Sequence, residues 1–527
     1  MNTIYKVISV VVICFTIFSC KQKETKAEEQ GNTVVNEQPN IVLFLVDDMG
    51  WQDTSVPFWT EKTPFNERYI TPNMERLARE GMKFTQAYAT SVCSPTRVSL
   101  MTGMNAARHR VTNWTLKKDM LQPMEANHKK LKFPRWNVNG MSPTPDIENA
   151  VYVTPLPKLL QDAGYFTIHT GKAHFGAIGT PAEDPKNIGF DVNIAGHAAG
   201  APESYLGIEN FGNGKKGKEV WAVPGLEKYH GKDIFLTEAL TKEAILAVDS
   251  AVVAKKPFFL YMAHYAVHTP LYADNRFEKK YLDAGLDPKE AKYASMVEGM
   301  DKSLGDIMDY LEKNNLDENT VILFMSDNGG LSVHARGGEP NTHNKPLNSG
   351  KGSAYEGGIR EPMLVKWPNK VKPNTVTDKQ VIIEDFYPTI LDLAGVENYN
   401  AVQKIDGLSF KDVLKGESVK NTDRALFWHY PNEWGPSGPG IGASSTIRKG
   451  DWKLIYYHLD SRFELFNIAE DIGETTNLAR SEKERLKALA EELGSYLRSV
   501  DAQMPSNKET DKQVPWPDAE IVINQIK

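Results

Sequence analysis

Residues 93–103 read Cys-Ser-Pro-Thr-Arg-Val-Ser-Leu-Met-Thr-Gly, and this is the most informative stretch of the chain. The sequence contains three cysteines, of which Cys14 lies in an apolar amino-terminal segment and Cys20 at a predicted processing site. Cys93 therefore has no predicted disulfide partner. A lone cysteine in an exported protein is either a small buried hydrophobe or a functional thiol, and the cysteine count alone leaves both interpretations open.

The first residues of the chain are typical of a targeting segment. Lys6 provides a positive charge before a short apolar run that cannot span a bilayer. Residues 17–20 resemble a lipobox, which predicts a lipoprotein signal peptide over residues 1–19 and lipidation of Cys20; a plain secretory signal is the alternative. Residues 20–37 are polar and predict a disordered tether. We therefore expect a protein of the bacterial cell envelope that meets the membrane only through its lipid anchor.

The composition is that of an ordinary globular protein, with 41% hydrophobic and 24% charged residues. The formal net charge is −7. A protein this acidic is not built to bind polyanions across a broad surface, so we expect no nucleic-acid partner. Recognition of an anionic substrate must then come from a local cationic pocket or from a metal ion.

Apolar strands alternate with amphipathic helices over residues 38–420, which predicts an α/β catalytic domain whose sheet is covered on both faces. Each predicted strand ends directly in polar residues that are capable of chemistry. Ligands of open α/β sheets bind at the carboxyl ends of the strands. These residues are Asp47 and Asp48 after strand 41–46, Lys172 and His174 after strand 165–170, His264 and His268 after strand 257–262, and Asp327 and Asn328 after strand 321–325.

The pattern changes after about residue 420. Short predicted strands precede one helix at residues 482–500, which indicates a small α+β subdomain over residues 421–502. Residues 503–527 contain several prolines and are expected to form a loosely packed tail.

Two long motifs resemble signatures of the type I sulfatases, a family of the alkaline-phosphatase-like superfamily. Cys-X-Pro-X-Arg at residues 93–97, followed by Ser-Leu-Met-Thr-Gly at residues 99–103, is similar to the first. Residues 351–360, Lys-Gly-Ser-Ala-Tyr-Glu-Gly-Gly-Ile-Arg, are similar to the second. With a weaker likeness at residues 464–467 and 477–478, the resemblance covers residues 38–500. It implies a large mixed sheet flanked by helices, and a smaller carboxyl-terminal α+β subdomain.

The resemblance also implies the cofactors. A maturation enzyme would convert Cys93 to formylglycine (3-oxoalanine), whose hydrate is the nucleophile. Asp47, Asp48, Asp327 and Asn328 would hold one divalent cation, usually Ca²⁺, against the formylglycine at position 93. The residue types agree, because carboxylate and amide oxygens suit Ca²⁺ or Mg²⁺. Without the resemblance, the two acidic motifs could equally be turns at the ends of strands.

The remaining catalytic roles follow from the same resemblance. His268, which precedes Thr-Pro, matches the general acid that protonates the departing oxygen, whereas His264 is expected to be a core histidine. The family's usual Trp between the residues at 172 and 174 is Ala173 here, a change expected to alter the shape of the pocket. The predicted catalytic set is Cys93, Arg97 beside the hydrate, Lys172 on the sulfate, His174 on the hydrate, His268, and Lys351 bridging sulfate and leaving oxygen.

Tyr355, Glu356 and Arg360 of the second signature are expected to serve buried packing and ion pairing. Substrate recognition is less visible in the sequence. The candidates for contacts with sugar hydroxyls or a neighbouring uronate are Arg108, His109, Arg110, Trp114, His334, Arg336 and His343.

The sequence thus predicts a type I sulfatase that acts on oligosaccharides from sulfated polysaccharides, either algal (ulvan or carrageenan) or glycosaminoglycan. One alternative is a phosphodiesterase or phosphatase of the same superfamily, which would need a Ser or Thr nucleophile and paired Zn²⁺ ions with His ligands. Asn328 after Asp327, where an Asp-His pair would be expected, speaks against it. The other alternative is a glycan-binding surface lipoprotein with an inactive sulfatase fold, and the intact predicted catalytic set speaks against that.

Overall fold

The structure, a computed structural model, describes residues 38–333, 335–417 and 424–523. The predicted signal peptide over residues 1–19, the lipidation site Cys20 and the tether over residues 20–37 lie outside these ranges. Within the described ranges, no helix has both the length and the apolar character required to cross a bilayer.

The described residues form strands and helices in alternation along the first three quarters of the chain. The strands are β1 (Asn40–Val46), β2 (Met82–Tyr88), β3 (Leu131–Lys132), β4 (Met141–Ser142), β5 (Val151–Tyr152), β6 (Phe166–Gly171), β7 (Val192–Ile194), β8 (Phe258–Ala263), β9 (Thr320–Ser326), β10 (Arg360–Lys366), β11 (Thr375–Thr377), β12 (Val381–Ile382), β13 (Ala425–Tyr430), β14 (Ser444–Lys449), β15 (Trp452–Tyr457), β16 (Phe463–Asn467) and β17 (Ser506–Asn507). The α-helices are α1 (Pro64–Arg68), α2 (Pro72–Glu80), α3 (Cys93–Thr102), α4 (Ala106–His109), α5 (Pro123–Ala126), α6 (Leu156–Asp162), α7 (Leu236–Val253), α8 (Glu278–Asp283), α9 (Pro288–Lys313), α10 (Glu356–Ile359), α11 (Phe386–Leu393), α12 (Lys411–Leu414), α13 (Lys483–Ser499) and α14 (Glu520–Ile523).

The large sheet has nine strands in the order β11-β2-β10-β9-β1-β8-β6-β7, with β12 also paired to β2. The strands β9, β1, β8, β6 and β7 run parallel, whereas β10 lies antiparallel to both β9 and β2. The parallel centre brings the carboxyl ends of β1, β9, β8 and β6 to one edge. The sheet is therefore mixed, as the sequence analysis predicted.

Helices cover both faces of this sheet. Ile41 and Leu43 of β1 belong to one apolar core, to which α3, α6 and α11 contribute, and Val42 and Phe44 belong to the other, to which α2, α7 and α9 contribute. Every residue of β1 is buried, which explains why the strand reads as an unbroken apolar run. The predicted fold class is confirmed.

The strands β13 to β16 form a separate antiparallel sheet. Leu486 and Leu493 of α13 pack in one apolar cluster with Ile447 and Leu454 of this sheet. This unit corresponds to the predicted α+β subdomain; the predicted boundary near residue 420 falls among residues 418–423, outside the described ranges.

The expectation of a loosely packed tail is wrong for residues 503–523. Ser506 of β17 pairs with Lys132 of β3, and Val514 and Val522 join the apolar cluster around α13 with exposures of 5% and 1%. The segment is ordered because it covers apolar surface that α13 and its sheet leave open. Its own apolar residues are too widely spaced to show a helical or strand period, so the sequence did not reveal this packing.

Glu356 joins the two sheets. Its carboxylate accepts hydrogen bonds from Tyr88 of β2 at 2.9 Å, from Arg448 of β14 at 2.9 Å and from Lys453 of β15 at 3.1 Å. Arg360 adds an ion pair at 3.3 Å. Burial would raise the pKa of Glu356, but the three cations outweigh it and hold the pKa well below the usual value. The predicted structural role of Glu356 and Arg360 is confirmed.

Candidate active site

The ends of β1 and β9 place three acidic side chains together. Val46 and Ser326 are register partners, so the residues that follow them, Asp47 and Asp327, leave the sheet side by side. Asp48 turns back with a φ of 62°, and its backbone N–H faces Asp327 Oδ1 at 3.3 Å. All three carboxylates are buried. Burial and the nearby Asp327 raise the pKa of Asp47 well above its usual value.

Cys93 is the first residue of α3, and its side chain lines a cavity beside the acidic cluster. Its Sγ lies 3.4 Å from Lys351 Nζ and 3.8 Å from Asp47 Oδ1. Burial opposes ionisation of the thiol, but the charges of Lys172 and Lys351 outweigh it and lower the pKa of Cys93 to about 6. The position is therefore electrostatically prepared for an anion.

Arg97 lies one turn further along α3 and contacts the acidic cluster from behind. Its Nε and Nη2 donate to Asp327 Oδ2 at 3.0 and 2.8 Å, and its Nη1 donates to the carbonyl of Lys172 at 3.0 Å. Both partners of this ion pair are fully buried. Burial would raise the pKa of Asp327, but Arg97 and Lys172 lower it, so the carboxylate stays ionised.

The two predicted lysines reach the same cluster from different loops. Lys172 Nζ lies 2.5 Å from Asp47 Oδ2, and Lys351 Nζ lies 2.6 Å from Asp48 Oδ1. Burial would raise the pKa of Asp48, but Lys351 and His268 lower it. The structure therefore brings the predicted cations and carboxylates into one buried network.

The two candidate histidines after β8 lie in different environments. His268 lines the cavity, with Nε2 at 3.6 Å from Asp48 Oδ2 and Nδ1 at 2.6 Å from the carbonyl of Thr269. Since a carbonyl can only accept, Nδ1 carries a proton and Nε2 faces the site. Burial and Lys351 oppose protonation of His268, but Asp48 and Asp47 outweigh them and raise its pKa.

His264 faces away from this cluster. Its Nε2 lies 2.9 Å from Ser303 Oγ, its ring packs 5.1 Å from that of Phe44, and burial lowers its pKa to about 3. These contacts are those of a neutral core histidine.

His174 completes the cavity on the side of β6. Its Nε2 lies 2.9 Å from the carbonyl of Thr115, so Nε2 carries the proton, and Nδ1 is left buried without a hydrogen-bond partner. Burial and the charge of Lys172 lower the pKa of His174 well below its usual value. Glycine is required at position 200, because a Cβ there would lie 2.3 Å from the His174 ring.

The residues of this cluster fit one divalent cation. Asn328 Nδ2 donates to Asp48 Oδ1 at 2.8 Å, whereas Asn328 Oδ1 is buried and has no hydrogen-bond partner. A buried orphan oxygen beside three carboxylates is what a hard cation requires. Potential ligand atoms of Asp47, Asp48, Cys93 and His268 lie within 4.8 Å of one another, so His268 adjoins the site although it was not predicted as a ligand.

The cavity has a volume of about 270 Å³. The predicted site residues Asp48, Cys93, His174, His268 and Lys351 line its floor, and the predicted recognition residue Trp114 lies in its wall. The rest of the apolar wall was not predicted. These side chains come from loops far apart in the chain, and no local pattern links them. The wall includes Trp114, Met124, Trp221, Leu331, Trp434 and Pro436.

Most of the predicted recognition residues do not line the cavity and bond to other groups. Arg108 pairs with Asp406 at 2.8 Å, and Arg336 is buried against Asp53 at 3.0 Å and Glu290 at 2.7 Å. Each of these cations already has a carboxylate partner from a distant segment, which the sequence could not show. The remaining predicted residues also bond elsewhere: Arg110 to Asp501, His109 to Ser99 and His343 to the carbonyl of Gly337. His334 lies outside the described residues.

Comparisons with known proteins agree with this geometry. Residues 39–396 match the family model described as Sulfatase, and residues 350–503 match that described as N-sulphoglucosamine sulphohydrolase, C-terminal. A protein named Sulfatase from Formosa agariphila is 32% identical, over 95% of this chain and 96% of its own length. The chain belongs to the sulfatase family. It is a sulfuric ester hydrolase, as predicted.

Further relatives of this sulfatase include a named human sulfatase and a solved structure. Human N-acetylgalactosamine-6-sulfatase is 28% identical over 90% of this chain and 88% of its own length. The crystal structure of Ps i-CgsB in complex with k-i-k-neocarrahexaose is similar with a TM-score of 0.69 and 28% identity, over 93% of this chain and 98% of that one.

Proposed function

We propose that this sulfatase hydrolyses sulfate esters of oligosaccharides from sulfated polysaccharides, with formylglycine at position 93 and one Ca²⁺. The observation that carries the proposal is the position of Cys93. It opens a helix at the floor of the cavity, within 3.4 Å of Lys351 and 3.8 Å of Asp47. A hydrated formylglycine supplies a hydroxyl that attacks sulfur and a second hydroxyl whose deprotonation releases the sulfate.

The side chains around position 93 divide the remaining work. Lys351 and Lys172, both buried, attract the sulfate and offset the charge that develops on it. His268 presents Nε2 to the cavity and donates a proton to the departing alcohol oxygen. His174 presents the free Nδ1, which accepts a hydrogen bond from the hydrate. Arg97 holds Asp327 in place through two hydrogen bonds.

Asp47, Asp48, Asp327 and Asn328 would hold the Ca²⁺, which would supply Lewis-acid chemistry to the site when bound. Their oxygen atoms, and the orphan Oδ1 of Asn328, support a hard cation. Metal analysis of the active protein should find one Ca²⁺ per chain. Two tightly bound Zn²⁺ ions would instead favour a phosphatase.

The nucleophile is tested by mass spectrometry of active full-length protein made together with a maturation enzyme. The peptide that contains residue 93 should be lighter than its thiol form, and Cys93→Ala should be inactive. Full activity from protein whose Cys93 remains a thiol would defeat the mechanism.

The substrate class is supported by relatives and by charge. The structural relative in complex with k-i-k-neocarrahexaose points to carrageenan fragments, and the relatives named N-acetylgalactosamine-6-sulfatase point to glycosaminoglycan fragments. A net charge of −7 disfavours a long polyanion, whereas a local cationic site still holds one sulfate. Sulfate release should therefore be faster from a lyase digest than from undigested polysaccharide of equal sulfate content. Faster release from the polymer would contradict the oligosaccharide preference.

We also propose that Cys20 carries a lipid that anchors the enzyme in the cell envelope, where captured polymer is processed. The support is the lipobox-like sequence before Cys20 and the polar segment after it. Cys20→Ser should move the protein from the membrane fraction to the soluble fraction, and recovery of the variant with the membranes would refute the anchor.

A further inference from the structure

Three tryptophans line the cavity that contains position 93. Trp114, Trp221 and Trp434 are each partly exposed, and each lines the cavity that also contains His268 and Lys351. Indole side chains left half-exposed around a reactive centre offer flat apolar surfaces to a bound ligand.

The Trp434 ring packs closely against the loop that contains Lys351 and Gly352. Gly352, directly after Lys351, has a φ of +83°, and a Cβ at this position would lie 2.1 Å from the Trp434 ring. Only glycine allows the indole this approach. The Trp434 ring is therefore fixed next to the residue that contacts the sulfate in the proposed function.

A buried carboxylate ties two of the tryptophan loops together. Glu125, 3% exposed, accepts hydrogen bonds from Asn113 Nδ2 at 3.0 Å and from Asn432 Nδ2 at 2.7 Å. Asn113 directly precedes Trp114, and Asn432 lies two residues before Trp434. Hydrogen bonds of this kind hold both loops at one fixed separation, so this part of the wall is a built surface.

The wall is poor in positive charge. Among the described residues that line the cavity, Lys351 is the sole Lys or Arg, and it already donates to Asp48 at 2.6 Å. The arginines expected to bind a uronate pair with carboxylates elsewhere. A sugar carboxylate placed against this wall would be desolvated without a partner, which is strongly unfavourable.

Resting on the proposed function, we propose that Trp114, Trp221 and Trp434 form a subsite for an uncharged sugar ring next to the scissile sulfate. The C–H face of a pyranose packs on indole, and its hydroxyl groups stay at the rim. The enzyme is thereby directed to sulfated neutral sugars, and substrates with a uronate at this position are disfavoured.

The test uses matured full-length enzyme and two sets of monosulfated disaccharides. One set is carrageenan-derived and contains only neutral galactose-type rings; the other is chondroitin-derived and contains glucuronate. Each set covers the available sulfate positions, and kcat/KM is measured from released sulfate. The best neutral substrate should exceed the best uronate-containing substrate roughly tenfold or more.

Variants test the wall directly. Trp221→Ala and Trp434→Ala should each lower kcat/KM on the neutral substrate roughly tenfold, mainly through KM. Trp434→Phe keeps an aromatic ring, so its kcat/KM on the neutral substrate should lie between those of Trp434→Ala and the native enzyme. The matched control is Trp452→Ala, which removes a tryptophan outside the cavity whose ring lies 4.1 Å from the Arg485 guanidinium. Its kcat/KM should stay within about twofold of the native value.

Binding gives a readout that does not depend on turnover. In Cys93→Ala protein, the neutral disaccharide should quench tryptophan fluorescence at concentrations where the uronate-containing one does not. Preference for the uronate set, or tryptophan variants that match Trp452→Ala in both assays, would overturn the subsite. If 4-nitrophenyl sulfate is cleaved but neither sugar set is, the subsite proposal is overturned and the sulfatase chemistry stands. If no sulfate ester is cleaved, the proposed function itself is refuted.

Discussion

Replacing Glu356 by glutamine should destabilise the protein without altering its chemistry. The Glu356 carboxylate and Lys453 are fully buried, and Arg448 and Arg360 are 2% and 6% exposed, so these cations have little access to water. Removing one partner of a buried ion pair costs about 3–5 kcal/mol. Glu474, 2.8 Å from Lys453, compensates one of the three cations and favours the lower part of this range.

The expected change in melting temperature follows from the size of the folded unit. The described residues from Gln38 onward belong to one compact unit, and for a unit of about 490 residues the unfolding entropy is about 1 kcal/mol/K. Glu356→Gln should therefore lower the unfolding midpoint by about 3–5 °C in a thermal scan followed by circular dichroism. Since Glu356 touches none of the residues assigned to catalysis, kcat at 25 °C should stay within about twofold of the native value.

The matched control is Asp283→Asn, which removes a surface ion pair with Lys279 whose side chains are 62% and 84% exposed. This variant should shift the midpoint by under about 1 °C, because exposed pairs contribute little. A Glu356→Gln midpoint within about 1 °C of the native one would refute the reasoning that this carboxylate stabilises the joint between the two sheets.

Three further predictions concern the site. His268→Ala should lower kcat/KM about 10²–10⁴-fold on a sugar sulfate but much less on an activated aryl sulfate, because an aryl leaving group needs little protonation. If His264→Ala shows this selective loss instead, His264 rather than His268 is the general acid. Asn328→Ala should weaken Ca²⁺ binding, measured by calorimetry, roughly tenfold or more, whereas Asn328→Asp keeps an oxygen ligand and should still bind Ca²⁺. Equal Ca²⁺ affinities for Asn328→Ala and the native protein would exclude Asn328 as a ligand. Glu125→Gln places an amide opposite two hydrogen-bond donors, Trp136 Nε1 and the backbone N–H of Gln122. The KM for the neutral disaccharide should therefore rise several-fold, while turnover of an aryl sulfate changes little. Equal losses of activity on both substrates would indicate general misfolding instead.

The polar floor of the cavity could be predicted from the sequence because its residues lie in local motifs and directly after apolar strands. Asp47 and Asp327 each follow a continuous apolar strand, and parallel neighbours deliver such residues to one edge of a sheet. The two family motifs then identified Cys93 and Lys351. What the sequence did not contain was the order of strands, which places β10 antiparallel between β9 and β2.

The wall and the charge pairing could not be predicted, since they depend on contacts between distant segments. Arg336 looked like a recognition residue because its loop is rich in glycine, yet Asp53 and Glu290 neutralise it in the interior. Trp221 and Trp434 stand 213 residues apart in the sequence, and they line one cavity only in the folded chain. Single-sequence patterns report periodicity, and neither residue belongs to a periodic segment.

Under the proposed function, the burial of Cys93 determines when this residue can be modified. Its side chain is 4% exposed and faces only the cavity, and every residue of α3 is buried, so residues 93–97 are not available as an extended peptide once the chain has folded. We therefore expect the proposed maturation enzyme to bind residues 93–97 as an extended peptide, before α3 forms. If the chain folds before modification, the Cys93 thiol would therefore remain unmodified. We then expect the yield of active enzyme to depend on the relative rates of modification and folding, and supplying the maturation enzyme to folded protein should recover no activity.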